Sequence, residues 1–151
     1  MIIFIRTFLI FSLILLFSCK NNKEVSKPEI KNEDLNILMI EAYQEGLNEL
    51  ENGYAILAAK KFNEAEILFP QSIWAPRSSL MAAYSYYSMD YYEDSINELI
   101  RFLKTYPNNI RTDYARYLLA INYYEQIINE KKDLGPILDA KNNFIIVKEN
   151  F

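Results

Sequence analysis

The chain of 151 residues has no histidine, one cysteine, three glycines and five prolines. The missing histidine removes the commonest general base, the commonest metal ligand and the near-neutral pH switch together. A lone cysteine excludes an intramolecular disulfide. So little glycine and proline, beside abundant Leu, Ile, Ala, Glu, Lys and Tyr, speaks against a sheet built on tight turns and for helices with short breaks. Basic charge is also scarce. The formal net charge is −4, and residues 1–18 contribute only Arg6 to it, so there is no electrostatic footprint for nucleic acid. No Gly-rich phosphate loop or cluster of metal-ligating residues appears, and the carboxylate pairs Glu64-Glu66 and Glu93-Asp94 read as ordinary surface charge. The chain is expected to be no enzyme and to need no cofactor or metal.

The cysteine stands where its position carries information. After Arg6 comes an apolar run over residues 8–17, broken only by Ser12. That is the length of a secretory signal core and short of the roughly 20 residues of a membrane-spanning helix. It ends in Leu16-Phe17-Ser18-Cys19, which resembles the lipobox of bacterial lipoproteins, with Phe17 larger than the residue usual at its place. The resemblance implies removal of residues 1–18 as a signal peptide and lipidation of Cys19 by diacylglycerol and an N-acyl chain. An uncleaved anchor or a plain secretory signal are the alternatives. Each buried methylene of an acyl chain adds about 0.8 kcal/mol of membrane affinity, so two or three chains would hold the protein firmly. Residues 19–34, rich in Lys, Asn, Glu and Ser, read as the lipidated cysteine and a solvated tether. Lys20 rather than Asp after the cysteine favours export to the outer membrane in enteric-type bacteria, by the same resemblance.

From residue 35 onward the chain repeats itself. Gly46, Ala83 and Ala120 fall 37 residues apart, as do Pro70 and Pro107, Tyr86 and Tyr123, and Tyr87 and Tyr124. Self-similarity at this period marks a helical solenoid. Apolar periodicity predicts helices over 35–52, 55–69, 73–89, 91–105, 111–130 and 136–150, paired into three hairpins. Asn52-Gly53, Pro70-Gln71-Ser72, Pro107-Asn108-Asn109 and Gly135-Pro136 supply the stops and starts. The small residues, aromatics and prolines at Gly46, Ala58, Phe62, Ala65 and Pro70 resemble the tetratricopeptide repeat, whose standard length is about 34 residues. The expected fold is therefore all-α, a right-handed tetratricopeptide solenoid over 35–151, with repeats near 35–72, 73–109 and 110–151. Between Ser95 and Ala140 the interval is 45 residues rather than 37, which places an inserted loop near 129–135. It serves either a partner or nothing in particular. In the same register the closing proline of the third repeat would fall one place beyond Phe151, so either a further hairpin or a partner is expected to cover the apolar last helix.

In the tetratricopeptide family the first helix of each hairpin lines a groove. Carried onto this chain, those positions are Tyr43, Leu47 and Leu50, then Arg77, Leu80, Tyr84 and Tyr87, then Tyr114, Tyr117, Ile121 and Tyr124. A stripe of tyrosines gives broad apolar contact with hydrogen-bonding tips and suits extended peptide; packing between helices is the plainer role for any single one. Arg77 stands nearly alone among groups that could clamp a carboxylate.

Lipobox, tether and repeats together resemble the BamD family of outer-membrane β-barrel assembly lipoproteins. The stretches that carry the likeness include Phe69-Pro70-Gln71-Ser72-Ile73-Trp74-Ala75, Arg101-Phe102-Leu103 with Tyr106-Pro107, and Asp113-Tyr114-Ala115-Arg116-Tyr117-Leu118. The resemblance implies a scaffold on the periplasmic side of the outer membrane. It would bind the periplasmic domains of the barrel-forming assembly subunit, other assembly lipoproteins and unfolded outer-membrane proteins. Another periplasmic tetratricopeptide lipoprotein, such as a pilus pilotin or a coordinator of cell-envelope constriction, is the alternative; the helical arm of a larger enzyme is a third reading.

Overall fold

A computed structural model describes residues 32–127 and 134–150. These residues form six α-helices: α1 (Asn32–Glu51), α2 (Ala55–Leu68), α3 (Ala75–Tyr87), α4 (Tyr92–Thr105), α5 (Thr112–Glu125) and α6 (Gly135–Asn150). Each packs chiefly on its neighbours in sequence, and α3 also touches α5. That is the connectivity of a tetratricopeptide-like solenoid of three hairpins. The fifth helix stops at Glu125, short of the expected residue 130. The signal segment, Cys19, the tether and the insertion over 128–133 lie outside the described residues.

The turns follow from local chemistry. The first hairpin turns at Gly53, whose φ of 79° only glycine adopts without strain. The Tyr54 amide reaches back to the Glu49 carbonyl at 2.9 Å and the Gly53 amide to that of Leu50 at 3.0 Å, closing the helix end. One period later Asp90 takes the same left-handed conformation at φ 62°, with the Tyr91 amide 3.0 Å from the Tyr86 carbonyl. Between hairpins, Ser72 Oγ accepts the Ala75 amide at 3.1 Å and Asn109 Oδ1 accepts the Arg111 amide at 3.0 Å. These two residues are again 37 apart, and they act as the caps expected after Pro70 and Pro107.

Small residues set the helix spacing. A Cβ on Gly46 would lie 2.9 Å from the Phe62 ring, so the ring of α2 sits directly on the backbone of α1. In the second hairpin the fully buried Ser95 donates its hydroxyl to the Ala83 carbonyl at 2.9 Å, satisfying the one polar group that close packing of α3 and α4 encloses. The interior divides by seam. Met39, Tyr43, Ala58, Phe62, Ala65 and Ala82 form one cluster, while Leu80, Ala83, Leu99, Phe102, Ala115 and Leu118 form the next. The last helix is thinly covered: Ala140 is its one buried residue, and Leu138, Phe144 and Ile145 are exposed.

Candidate functional site

The groove positions proposed from sequence form four lines across the solenoid, each repeating every 37 residues, and the structure sorts them. The line through Arg77 and Tyr114 is exposed, and so is Ile40, which completes it in the first hairpin. Sequence reasoning missed Ile40, although subtracting one period from Arg77 finds it. On the next line Leu47 and Tyr84 are exposed and Ile121 is half-buried. On a third, Leu50 and Tyr87 pack partly against the two clusters while Tyr124 is exposed.

The fourth line requires correction. Tyr43 and Leu80 belong to the core and not to a groove surface. Tyr43 meets Phe62 and Trp74 edge-on, at centroid distances of 5.2 Å and 5.4 Å. The guanidinium of Arg77 lies 5.6 Å from the Tyr43 ring and 4.9 Å from that of Trp74, so Arg77 itself helps to roof the tyrosine. Leu80 is enclosed by the second cluster. Their counterpart Tyr117 stays 46% exposed, with Phe144 6.3 Å away as its aromatic neighbour.

What remains at the surface is an aromatic face shared by α3 and α5. Tyr84 and Tyr87 are 6.4 Å apart. Tyr114 titrates above the usual tyrosine value, chiefly through burial and then through its neighbours Tyr84, Tyr87 and Tyr117. The structure thus brings Tyr84, Tyr87, Tyr114 and Tyr117 together from two hairpins. Tyr87 also approaches Tyr92 at 6.2 Å, and the Tyr92 hydroxyl donates to Asp90 at 2.7 Å, a bond that pushes its pKa up to about 12. Such a face offers large apolar contact with hydroxyl groups at its rim and no group suited to catalysis. Among the described residues there is no cluster of three or more His, Cys, Asp or Glu that could hold a metal.

A second assembly lies at the seam of the first two hairpins, and here the sequence misled. Glu66 is not ordinary surface charge: it is 7% exposed. Arg101 donates to both of its carboxylate oxygens, at 2.9 Å and 2.7 Å, and further to Glu98, Asn63 and Ser79. The Tyr106 hydroxyl donates to Glu66 at 2.7 Å, and Asn63 donates to Glu98. The guanidinium is held more firmly protonated by Glu66, against the opposing effect of burial. Burial and the bond to Glu66 push Tyr106 well above the usual tyrosine range. Three helices are joined through one carboxylate. Glu64, by contrast, is exposed and pairs with Lys61, which also reaches Glu45.

Among the described residues no helix is long and apolar enough to cross a membrane. The profile of the YfiO family, described as outer membrane lipoprotein, matches residues 36–151. Similar proteins include the outer membrane protein assembly factor BamD of Caulobacter vibrioides, 34% identical over 110 residues that make up 73% of this chain and 35% of that protein. BamD of Rickettsia prowazekii is 28% identical over 131 residues, 87% of this chain and 49% of that protein. BamD of Neisseria meningitidis is 28% identical over 111 residues, 74% and 41% respectively. The chain therefore spans between about a third and a half of the length of these relatives. With a family profile running through all six helices, the chain belongs to the YfiO, or BamD, family of outer membrane lipoproteins.

Proposed function

We propose that this chain is a non-catalytic, lipid-anchored scaffold in the assembly of outer-membrane proteins. The relatives are named as assembly factors of that process. The observation that carries the reading is the tyrosine face of α3 and α5, on which Tyr84 is 37% and Tyr114 41% exposed although both sit beside well-packed helices. Its partners are extended segments of unfolded outer-membrane proteins, the periplasmic domains of the barrel-forming assembly subunit and other assembly lipoproteins. Cys19 carries the diacylglycerol and N-acyl chain that hold the domain to the periplasmic leaflet of the outer membrane, with residues 1–18 removed and the tether spanning the gap. No metal or cofactor takes part.

The test places a photo-crosslinking amino acid at Tyr84, and separately at Tyr114, in the full-length gene product expressed in its own cells. Adducts with the barrel-forming subunit or with unfolded barrel proteins are expected from both positions, and none from the exposed Lys104. Equal yields from all three positions would remove the face from the argument. In parallel, Cys19→Ala is expected to leave the membrane fraction; retention there would overturn the lipid anchor.

A further inference from the structure

The second seam carries a cleft at the place where the first seam carries its carboxylate cluster. One period on from Glu66 and Ser79 stand Leu103 and Arg116, and across the longer 45-residue interval Arg101 is replaced by Ile146. The carboxylate is gone, and a cation stands in the slot of Ser79. A cleft of about 320 Å³ opens there, lined by Leu103, Pro107, Thr112, Arg116, Ile146 and Asn150. At the first seam the guanidinium is saturated by Glu66, Glu98, Asn63 and Ser79. No described residue pairs with or accepts a hydrogen bond from the Arg116 side chain. A half-buried guanidinium beside apolar walls gains most from a planar carboxylate that fits its fork.

The geometry points to a docking site for an acidic peptide segment of a partner protein. An aspartate or glutamate carboxylate of that segment pairs with Arg116, and a neighbouring aliphatic side chain enters among Leu103, Pro107 and Ile146. Charge complementarity selects this occupant. One cation in a chain of formal net charge −4 does not hold a polyphosphate backbone or an anionic lipid surface, both of which need several. The site is separate from the tyrosine face. At about 100° per residue, Thr112 and Arg116 share one side of α5, whereas Tyr114, Tyr117 and Ile121 point well away from it. A following hairpin does not by itself close such a place: at the first seam, with the third hairpin present, the Arg101 side chain is still 40% exposed.

The test uses the full chain in detergent and a fluorescent heptapeptide of alternating leucine and glutamate, blocked at both ends, with a leucine and glutamine version as control. Saturable binding of the glutamate peptide is expected, weakened about tenfold or more by the glutamine exchange and by Arg116→Gln, the worth of one charge-assisted pair. Arg116→Lys is expected to retain part of it. Leu103→Glu puts a carboxylate into the register of Glu66, where Arg116 takes it up, and is expected to abolish peptide binding with an unchanged circular dichroism spectrum. Tyr114→Ala is expected to bind as before, so this result stands apart from the fate of the tyrosine face. Equal affinity for the two peptides, undiminished binding by a folded Arg116→Gln, or no binding of the glutamate peptide at millimolar concentration would each overturn the proposal.

Discussion

The seam between the first and second hairpins is held by a buried carboxylate with a guanidinium, a phenol and two amide or hydroxyl groups around it, whereas the seam between the second and third is apolar where the first is ionic, and open where the first is filled. Both join the same kind of helices in the same register. The difference shows what a repeat protein leaves free to vary: small residues at the helix crossings are required at every seam by the close approach of backbones, but the outer edge of a seam can be closed by charge, by hydrocarbon or by a partner. A fully satisfied ionic cluster fixes the relative orientation of two hairpins through directional bonds. An aliphatic contact with a cleft beside it fixes orientation less and leaves a surface to be used.

The comparison breaks most severely if the first seam loses its carboxylate. Glu66→Leu leaves Arg101 without its main partner and the Tyr106 hydroxyl without its acceptor. A destabilisation of about 2–3 kcal/mol is expected, below the full value for a buried pair because Arg101 is partly exposed. Glu66→Leu with Arg101→Ile gives the first seam the residues of the second, and is expected to recover more than half of that loss. Urea unfolding of the four chains of the cycle measures it. A double variant as unstable as Glu66→Leu alone would mean that the two seams are not interchangeable in this way.

A smaller effect separates the phenol from the ion pair. Tyr106 has its pKa raised above the ordinary 10, first by burial and then by its bond to Glu66. A group whose pKa is raised on folding adds stability that is complete below the unfolded value and lost as pH rises above it. Stability is therefore expected to be flat in this respect below about pH 9 and to fall above pH 10 as the unfolded chain ionises. Tyr106→Phe should cost about 1 kcal/mol at neutral pH and flatten the alkaline fall. An unchanged alkaline slope in the variant would show that other tyrosines, Tyr86 and Tyr123 among them, account for it.

Much of the fold was legible because its causes are local or periodic. Gly53, Pro70, Ser72, Pro107, Asn109 and Gly135 act at the turns where their side chains or conformations are needed, and Gly46 against Phe62 is a steric fact carried by one residue type. The surface was legible in part. Period and helix geometry place Tyr43, Leu80 and Tyr117 on one line, yet only the first two are buried, because burial depends on what the next hairpin lays over them: Trp74 and Arg77 for Tyr43. Glu66 was misread for the same reason. A glutamate beside another glutamate on a helix looks solvated until Arg101, 35 residues away, is brought to it. Leu103 and Arg116 carry no signal until they are compared with Glu66 and Ser79 in the register of the seam.

The smallest expected effect lies in the turns, where the two hairpins differ in a similar way. Gly53 and Asp90 occupy the same left-handed position one period apart. For glycine the conformation is free of strain; an ordinary residue there loses roughly 1–2 kcal/mol, and aspartate less because its short polar side chain bonds locally. Asp90 offsets part of this by accepting the Tyr92 hydroxyl at 2.7 Å. Asp90→Gly removes the strain and the bond together, so the net gain is expected to be small, about 0.5 kcal/mol. The two contributions can be told apart by titration. The bond to Asp90 is the largest cause of the Tyr92 pKa of about 12, so in Asp90→Gly one tyrosine should ionise nearer 10 in ultraviolet absorbance while the melting temperature rises slightly. A fall in melting temperature with the same titration shift would show that the phenol–carboxylate bond outweighs the backbone strain at this turn, and that the second hairpin is closed, like the first seam, by charge.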